Sequence, residues 1–199
     1  MLHTAIFIGR SGCGKGTQAE LLRDRINKLD KGASPILYIE TGPRFRQFVR
    51  GEGYSSKLSH MINESGERQP DFLACWMWST ALVEELHDKM HLVFDGAPRS
   101  AGEARMLTTA LEFYKREKPV VIYIDVSREW SEERLLARGR SDDRSLQKIN
   151  KRLDWFEEDV LPAIEYFRTN PYYRLIEVDG EQPIEKVHLD IVKAYEYQA

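Results

Sequence analysis

The chain has 199 residues, 42% hydrophobic and 31% charged, with a formal net charge of −3. That is enough chain to bury one core, in the composition of an ordinary soluble globular domain. The slightly acidic balance excludes a general attraction to nucleic acid or to anionic membrane. No apolar run approaches a membrane span, and the N-terminus lacks a charged-then-apolar leader pattern. Cys13 and Cys75 form no CxxC pair, so a reduced, cytoplasmic setting without structural zinc is expected.

The apolar run Ala5-Ile6-Phe7-Ile8 predicts a strand over 4–8, followed by Gly9-Arg10-Ser11-Gly12-Cys13-Gly14-Lys15-Gly16-Thr17 and a helix over 14–29. A glycine-rich turn between strand and helix points successive backbone N–H groups into one concavity, and the helix N-terminus adds partial positive charge. The spacing of Gly9, Gly14 and Lys15 fits a phosphate-binding loop, with Lys15 placed to reach the outer phosphates. The general pattern has Ser or Thr directly after the lysine. Here Gly16 stands there and the hydroxyl comes one residue later, on Thr17. A plain connecting turn is the rival reading, and the glycines together with Lys15 and Thr17 argue against it.

A second strand is predicted over 35–40, leading into Ile39-Glu40-Thr41-Gly42-Pro43-Arg44-Phe45-Arg46, with Thr41 as the N-cap of a helix over 42–50. Arg46 then lies one turn into that helix, able to reach back toward the sheet edge; taken alone, the segment reads as an ordinary cap with solvated arginines. Further helices are predicted over 55–64 and 70–88. Three successive helices exceed what a crossover needs, so a small helical flap is expected around 41–70.

The strand over 91–95 ends in Asp95, followed by Gly96-Ala97-Pro98-Arg99. A carboxylate at a strand end beside a phosphate loop suits the orientation of magnesium-bound water; alone, the segment also reads as an Asp-Gly turn. A helix over 101–116, a strand over 119–126 and a helix over 129–138 come next. On the last of these, Arg134 and Arg138 share a face, and Arg140 lies beyond them in a short polar loop ending in Asp142-Asp143. Stacked like charges repel unless an anion sits between them, although a solvated arginine face is the plain rival. A helix over 145–168, a strand over 173–178 and a helix over 183–197 complete the chain. The alternation predicts an α/β fold: a five-stranded parallel sheet with helices on both faces and ligands at the C-terminal strand ends. Arginines outnumber lysines 18 to 11, and the guanidinium fork suits bidentate phosphate contacts.

In order, Gly-x-x-Gly-x-Gly-Lys-Gly-Thr, Thr-Gly-x-x-x-Arg, Asp-Gly-x-Pro-Arg, and Arg-x-x-x-Arg followed by Arg-x-Asp-Asp resemble the adenylate kinases and related nucleoside monophosphate kinases. Gly66, Pro70-Asp71, the run 161–167 and Val178-Asp179-Gly180 extend the resemblance over nearly the whole chain. It implies a P-loop kinase with an inserted monophosphate-binding flap and a very short lid at about 138–144. ATP and Mg2+ would be the cofactors, small nucleotides the partners, and the chain a monomer. Gly12, Cys13, Gly14, Lys15, Gly16 and Thr17 would hold the ATP phosphates, and Arg134 would stack on the ATP base. Arg46 and Arg99, with Thr41 beside them, would hold the acceptor phosphate. Arg138, Arg140 and Arg152 would neutralise the moving phosphoryl group. Asp95 would hold magnesium through water, with no direct protein ligand.

This chain departs from the family pattern at Pro43, where the family has Asp; in the lid, which is very short; and in the spacing of Arg152 from the Asp pair, longer by one. It also has Glu103 where adenylate kinases carry a Gln that reads the AMP base. An ionised carboxylate only accepts hydrogen bonds, so GMP and CMP are the alternatives to AMP, which the overall resemblance makes the first expectation; the plain rival has Glu103 facing solvent on its helix. A small-metabolite P-loop kinase and a non-catalytic nucleotide sensor are the rival functions. His87 and His91 straddle a helix end and a strand start, which disfavours a metal pair. Trp76, Trp78, Trp155 and Phe156 read as helix packing, with one tryptophan able to border the acceptor base.

Overall fold

A computed structural model of the protein describes residues 2–139 and 145–196. Five parallel strands, β1 (Thr4–Ile8), β2 (Ile36–Glu40), β3 (His91–Asp95), β4 (Val120–Asp125) and β5 (Arg174–Asp179), form one sheet in the order β2-β3-β1-β4-β5. The central strand β1 is buried along its whole length, as an apolar strand covered on both faces must be. Its side chains alternate between two cores. Ala5 and Phe7 pack with Leu22 and Ile26 of α1 (Lys15–Leu29) and with Val187 and Ile191 of α9 (Ile184–Glu196). Ile6 and Ile8 share the opposite core with α4 (Asp71–Glu85), α5 (Ala101–Phe113) and α8 (Leu161–Thr169), through Trp78, Leu107 and Phe167. Leu22, on the core-facing side of α1, is fully buried. Truncation to Ala is expected to destabilise the fold by about 2–5 kcal/mol through lost transfer energy and an unfilled cavity, read as a lower denaturant midpoint.

Two further helices, α2 (Thr41–Phe48) and α3 (Tyr54–Ser65), lie between β2 and α4. Along α3 only Ser56 and Ser59 are buried, so this helix adds little to the core. After β4 come α6 (Arg128–Arg138) and α7 (Leu146–Trp155).

The expected single helix over 145–168 is instead α7, a π-helical turn over Phe156–Val160, and α8. Pro162, near the start of α8, has no N–H to give to the preceding turn. A widened turn absorbs that missing bond within a continuous helix. Strand ends agree with expectation to within a residue. Helices α4 and α5 stop three residues earlier than expected, at Glu85 and Phe113, because Leu86 turns extended and Lys115 takes a positive φ of 53°.

Candidate active site

The register sets the C-terminal ends of β1, β2 and β3 side by side, pairing Phe7 with Asp95 and Glu40 with Asp95 across the ladders. The turns leaving these strands therefore open onto one edge, where a cleft of roughly 650 Å3 runs from the loop after β1 to the turn after β3.

The loop after β1 needs its glycines. A Cβ on Gly9 would stand 2.5 Å from the Ile124 carbonyl oxygen, and Gly14, which caps α1, holds φ at 95°. Helix α1 has no side-chain cap and no acidic residue in its first turn. Its orphan N–H groups and partial positive charge thus face the cleft uncompensated, which suits an anion. Lys15 folds over the loop, its Nζ donating to the carbonyls of Gly9 at 2.8 Å and Arg10 at 2.7 Å. Gly12, Gly16 and Thr17 line the same cleft, while Cys13 is buried beneath it.

Asp95 is only 6% exposed and accepts from the Tyr38 hydroxyl at 3.1 Å through Oδ2. Burial and the neighbouring Asp95 charge push the Tyr38 phenol above its ordinary range, so it stays a donor to Asp95. A Cβ on Gly16 would stand 3.3 Å from the same carboxylate oxygen, which places Asp95 against the first turn of α1. Among the described residues no three His, Cys, Asp or Glu side chains converge on a point where a metal could be held. One acid beside a phosphate-binding loop fits a cation carried by phosphates and water, held through Asp95.

Thr41 is not the N-cap expected from the sequence: Glu40 occupies that position, and Thr41 opens α2. Its hydroxyl instead donates to the Gly96 carbonyl at 2.7 Å, tying the second strand's exit to the third's. Arg99 Nε donates to the same carbonyl at 2.7 Å. Burial pulls the Arg99 guanidinium below the usual arginine range, though a guanidinium remains charged at any physiological pH. Arg46 also faces the cleft, its Nη1 3.1 Å from where a Cβ on Gly42 would lie. Arg44 points away, paired with Glu85 at 2.9 Å.

Arg134, Arg138 and Arg152 line the other side of the cleft. The Arg134 guanidinium lies over the Trp130 ring at 4.7 Å. Arg140, and the 138–144 lid segment from that residue onward, lie outside the described residues. Trp78 is core, as expected. Trp76 is 50% exposed and packs on Phe48 across α2 and α4, whereas Trp155 borders the cleft. His91 is no metal ligand in this arrangement: its Nδ1 accepts from the His3 backbone N–H, so Nε2 carries the proton and donates to Asp30 at 2.8 Å.

Residues 7–172 match the family model described as Adenylate kinase. The chain belongs to the adenylate kinase family. It is 31% identical to an adenylate kinase of Porphyromonas gingivalis over 196 residues, covering 96% of this chain and 94% of that one. An adenylate kinase 1 of a Nostoc species is 30% identical over 182 residues, covering 92% of each chain. An adenylate kinase of Flavobacterium psychrophilum is 29% identical over 180 residues, covering 88% of this chain and 90% of that one. As a member of the adenylate kinase family the protein is a phosphotransferase acting on nucleoside monophosphates, with ATP and Mg2+ as cofactors. No helix among the described residues is long and apolar enough to cross a membrane.

Two groups at the site went unread in the sequence: Tyr38, which backs Asp95 from strand β2 and whose place in a strand suggests only packing, and Arg68, which lines the cleft. Arg68 donates to Asp71 at 2.6 Å and to Glu103 at 3.2 Å, and its Nε forms an ion pair with Asp159 at 2.9 Å. Its only sequence signal is its place between Gly66 and Pro70-Asp71, within a stretch that matches the adenylate kinase pattern. Glu103 is 1% exposed, and burial pushes its carboxyl up to about 7 against the opposing charges of Arg99 and Arg68. The group therefore stabilises the fold fully below its unfolded value near 4.5, and that contribution is lost as pH rises through about 7. Between about pH 5 and pH 8 the wild type should lose roughly 1–3 kcal/mol relative to Glu103→Gln, measurable as diverging melting temperatures.

Proposed function

We propose that this kinase transfers the γ-phosphoryl group of MgATP reversibly to AMP, as a cytoplasmic monomer. The observation that carries the reading is a single cleft with two anion-binding ends: the loop and α1 N-terminus at one, and Arg46 and Arg99 with Thr41 at the other. Lys15 and the amides of residues 12–17 hold the donor's outer phosphates, and Arg134 stacks on its base. Arg46 and Arg99 hold the acceptor's phosphate, the latter aimed by its bond to the Gly96 carbonyl. Arg138, Arg140 and Arg152 neutralise charge on the group in transit.

Asp95 would hold the magnesium ion, which would supply positive charge against the donor phosphates. Everything else the chain does is positioning and charge stabilisation, with no covalent nucleophile. The α2–α3 insertion over about 41–70 acts as the acceptor-side flap, and the short segment over about 138–144 acts as the donor-side lid. Support for the flap comes from the sparse burial along α3 and from its bridges to α7, where Lys148 meets Glu64 and Lys151 meets Glu67.

The test is ADP formation from MgATP with AMP, GMP, CMP, UMP and dTMP supplied separately. Transfer to AMP supports the reading; ATP binding with silence across the panel overturns it.

A further inference from the structure

At the acceptor end of the cleft, beyond Arg99, the wall is made of charged groups. Glu103 lies in the first turn of α5, its backbone N–H given to the N-cap hydroxyl of Ser100 at 3.1 Å. That hydroxyl is itself anchored on Asp71 Oδ2 at 2.8 Å. The Glu103 carboxyl is thus aimed by its own helix cap. Its Oε1 is tethered by Arg68 Nη1 at 3.2 Å, whereas Oε2 is buried with no hydrogen-bond partner among the described residues. Leaving a buried acceptor unsatisfied is unfavourable by about 1–3 kcal/mol, and this carboxyl belongs to a residue that lines the cleft, where a ligand can supply the missing donor.

The base of a purine monophosphate, held by its phosphate at Arg46 and Arg99, would meet the Glu103 carboxyl that lines this end of the cleft. Adenine presents an amino hydrogen beside a ring nitrogen lone pair. Guanine presents two adjacent N–H donors. A protonated carboxyl offers one donor and one acceptor; an ionised carboxyl offers acceptors only. We propose that the Glu103 carboxyl, tethered by Arg68, makes acceptor choice depend on protonation: adenine is taken when the group carries its proton and guanine when it is ionised. Arg68 is the positioning residue, since its guanidinium holds Oε1 and fixes the plane of the carboxyl, leaving Oε2 and the second lone pair of Oε1 for the base. This rests on the phosphate acceptor being a nucleoside monophosphate.

The surroundings keep both protonation states within reach. Burial favours the neutral form and sets the carboxyl near 7. Arg99, from the turn after β3, favours the charged form through its guanidinium and its backbone N–H, as does Arg68 from the segment before α4, while Asp71 of α4 opposes it. Asp159 of the π-helical turn faces Glu103 only through Arg68, and Arg152 of α7 stands beside Arg99. Cys75 of α4 stays a thiol, pushed up to about 11 by burial and the Glu103 charge.

The test is kcat/KM for AMP and for GMP, each with MgATP, from about pH 5.5 to pH 8.5. Phosphate ionisation is common to both acceptors and drops out of their ratio. In the wild type the AMP-to-GMP ratio is expected to fall about tenfold per pH unit, as the protonated and ionised fractions exchange. In Glu103→Gln the ratio becomes independent of pH and favours AMP, because a carboxamide keeps donor and acceptor at all pH values. Arg68→Leu, which removes a charge favouring ionisation, moves the fall in AMP activity to higher pH. A flat ratio in the wild type, or the same slope in Glu103→Gln, overturns the inference while AMP transfer still stands. No transfer to either acceptor in the wild type overturns the proposed function along with it.

Discussion

Lys15→Ala is expected to lower kcat for phosphoryl transfer by about 10³-fold or more while leaving the melting temperature nearly unchanged. In the structure the Lys15 ammonium makes its hydrogen bonds within its own loop, to the carbonyls of Gly9 and Arg10 and to Cys13 Sγ at 3.5 Å, so its removal costs the core only one weak sulfur contact. The loop's shape is set independently, by glycines at positive φ and by the crowding of Gly9 against Ile124. What is lost is a full positive charge beside phosphates whose charge redistributes in the transition state, in a site that excludes much of the water. Single preorganised donors of this kind are worth about 10²–10³ in rate, and full cations on a moving phosphoryl group about 10³–10⁵. Rapid-quench measurement of the transfer step, with a melting curve on the same sample, checks both halves. Near-normal turnover would remove Lys15 from the site.

Arg99→Ala should be comparably severe, and it should act on the acceptor side. Its Nε is committed to the Gly96 carbonyl, which leaves the remaining guanidinium nitrogens to the cleft in one fixed orientation. The same carbonyl also receives the Thr41 hydroxyl, so the arginine and the start of α2 are positioned from one atom. Loss of the side chain removes a bidentate phosphate partner and leaves Glu103 without one of its two counter-charges. We expect kcat/KM for the acceptor to drop by about 10²–10⁴-fold, with ATP binding, read by a fluorescent analogue, changed by less than about threefold. An equal loss of donor affinity would contradict the division of the cleft into two ends. Arg99→Lys should recover only a small part, because an ammonium cannot reproduce the planar fork.

Much of this site is legible in the order of the residues. Lys15, Asp95, Arg46 and Arg99 all stand out by their place after an apolar run or within a turn, and short-range chemistry explains each. A buried parallel strand reads as a continuous apolar stretch, and the turn at its C-terminal end reaches the ligand edge. The expectations for Thr41 and for the helix over 145–168 failed for different reasons, one tertiary and one local. Thr41 as an N-cap rested on local hydroxyl chemistry, yet the hydroxyl is claimed by a carbonyl 55 residues away. The uninterrupted helix over 145–168 rested on periodicity, and Pro162 bends the hydrogen-bond ladder into a π-helical turn without ending the helix.

By itself, then, the amino-acid order determined the strand–helix alternation, the anion-binding loop and the identities of the cationic groups around it, because each arises from interactions spanning a few residues. Only the tertiary structure decided that Arg68 is tethered to three carboxylates, that Asp95 stands against Gly16 under the Tyr38 hydroxyl, and that Glu103 is buried with one oxygen left over. These depend on which strand ends adjoin in the order β2-β3-β1-β4-β5 and on how far water is excluded between them. Exclusion of water is a property of packing across distant segments, and it is what turns an ordinary glutamate into a group that titrates near neutrality.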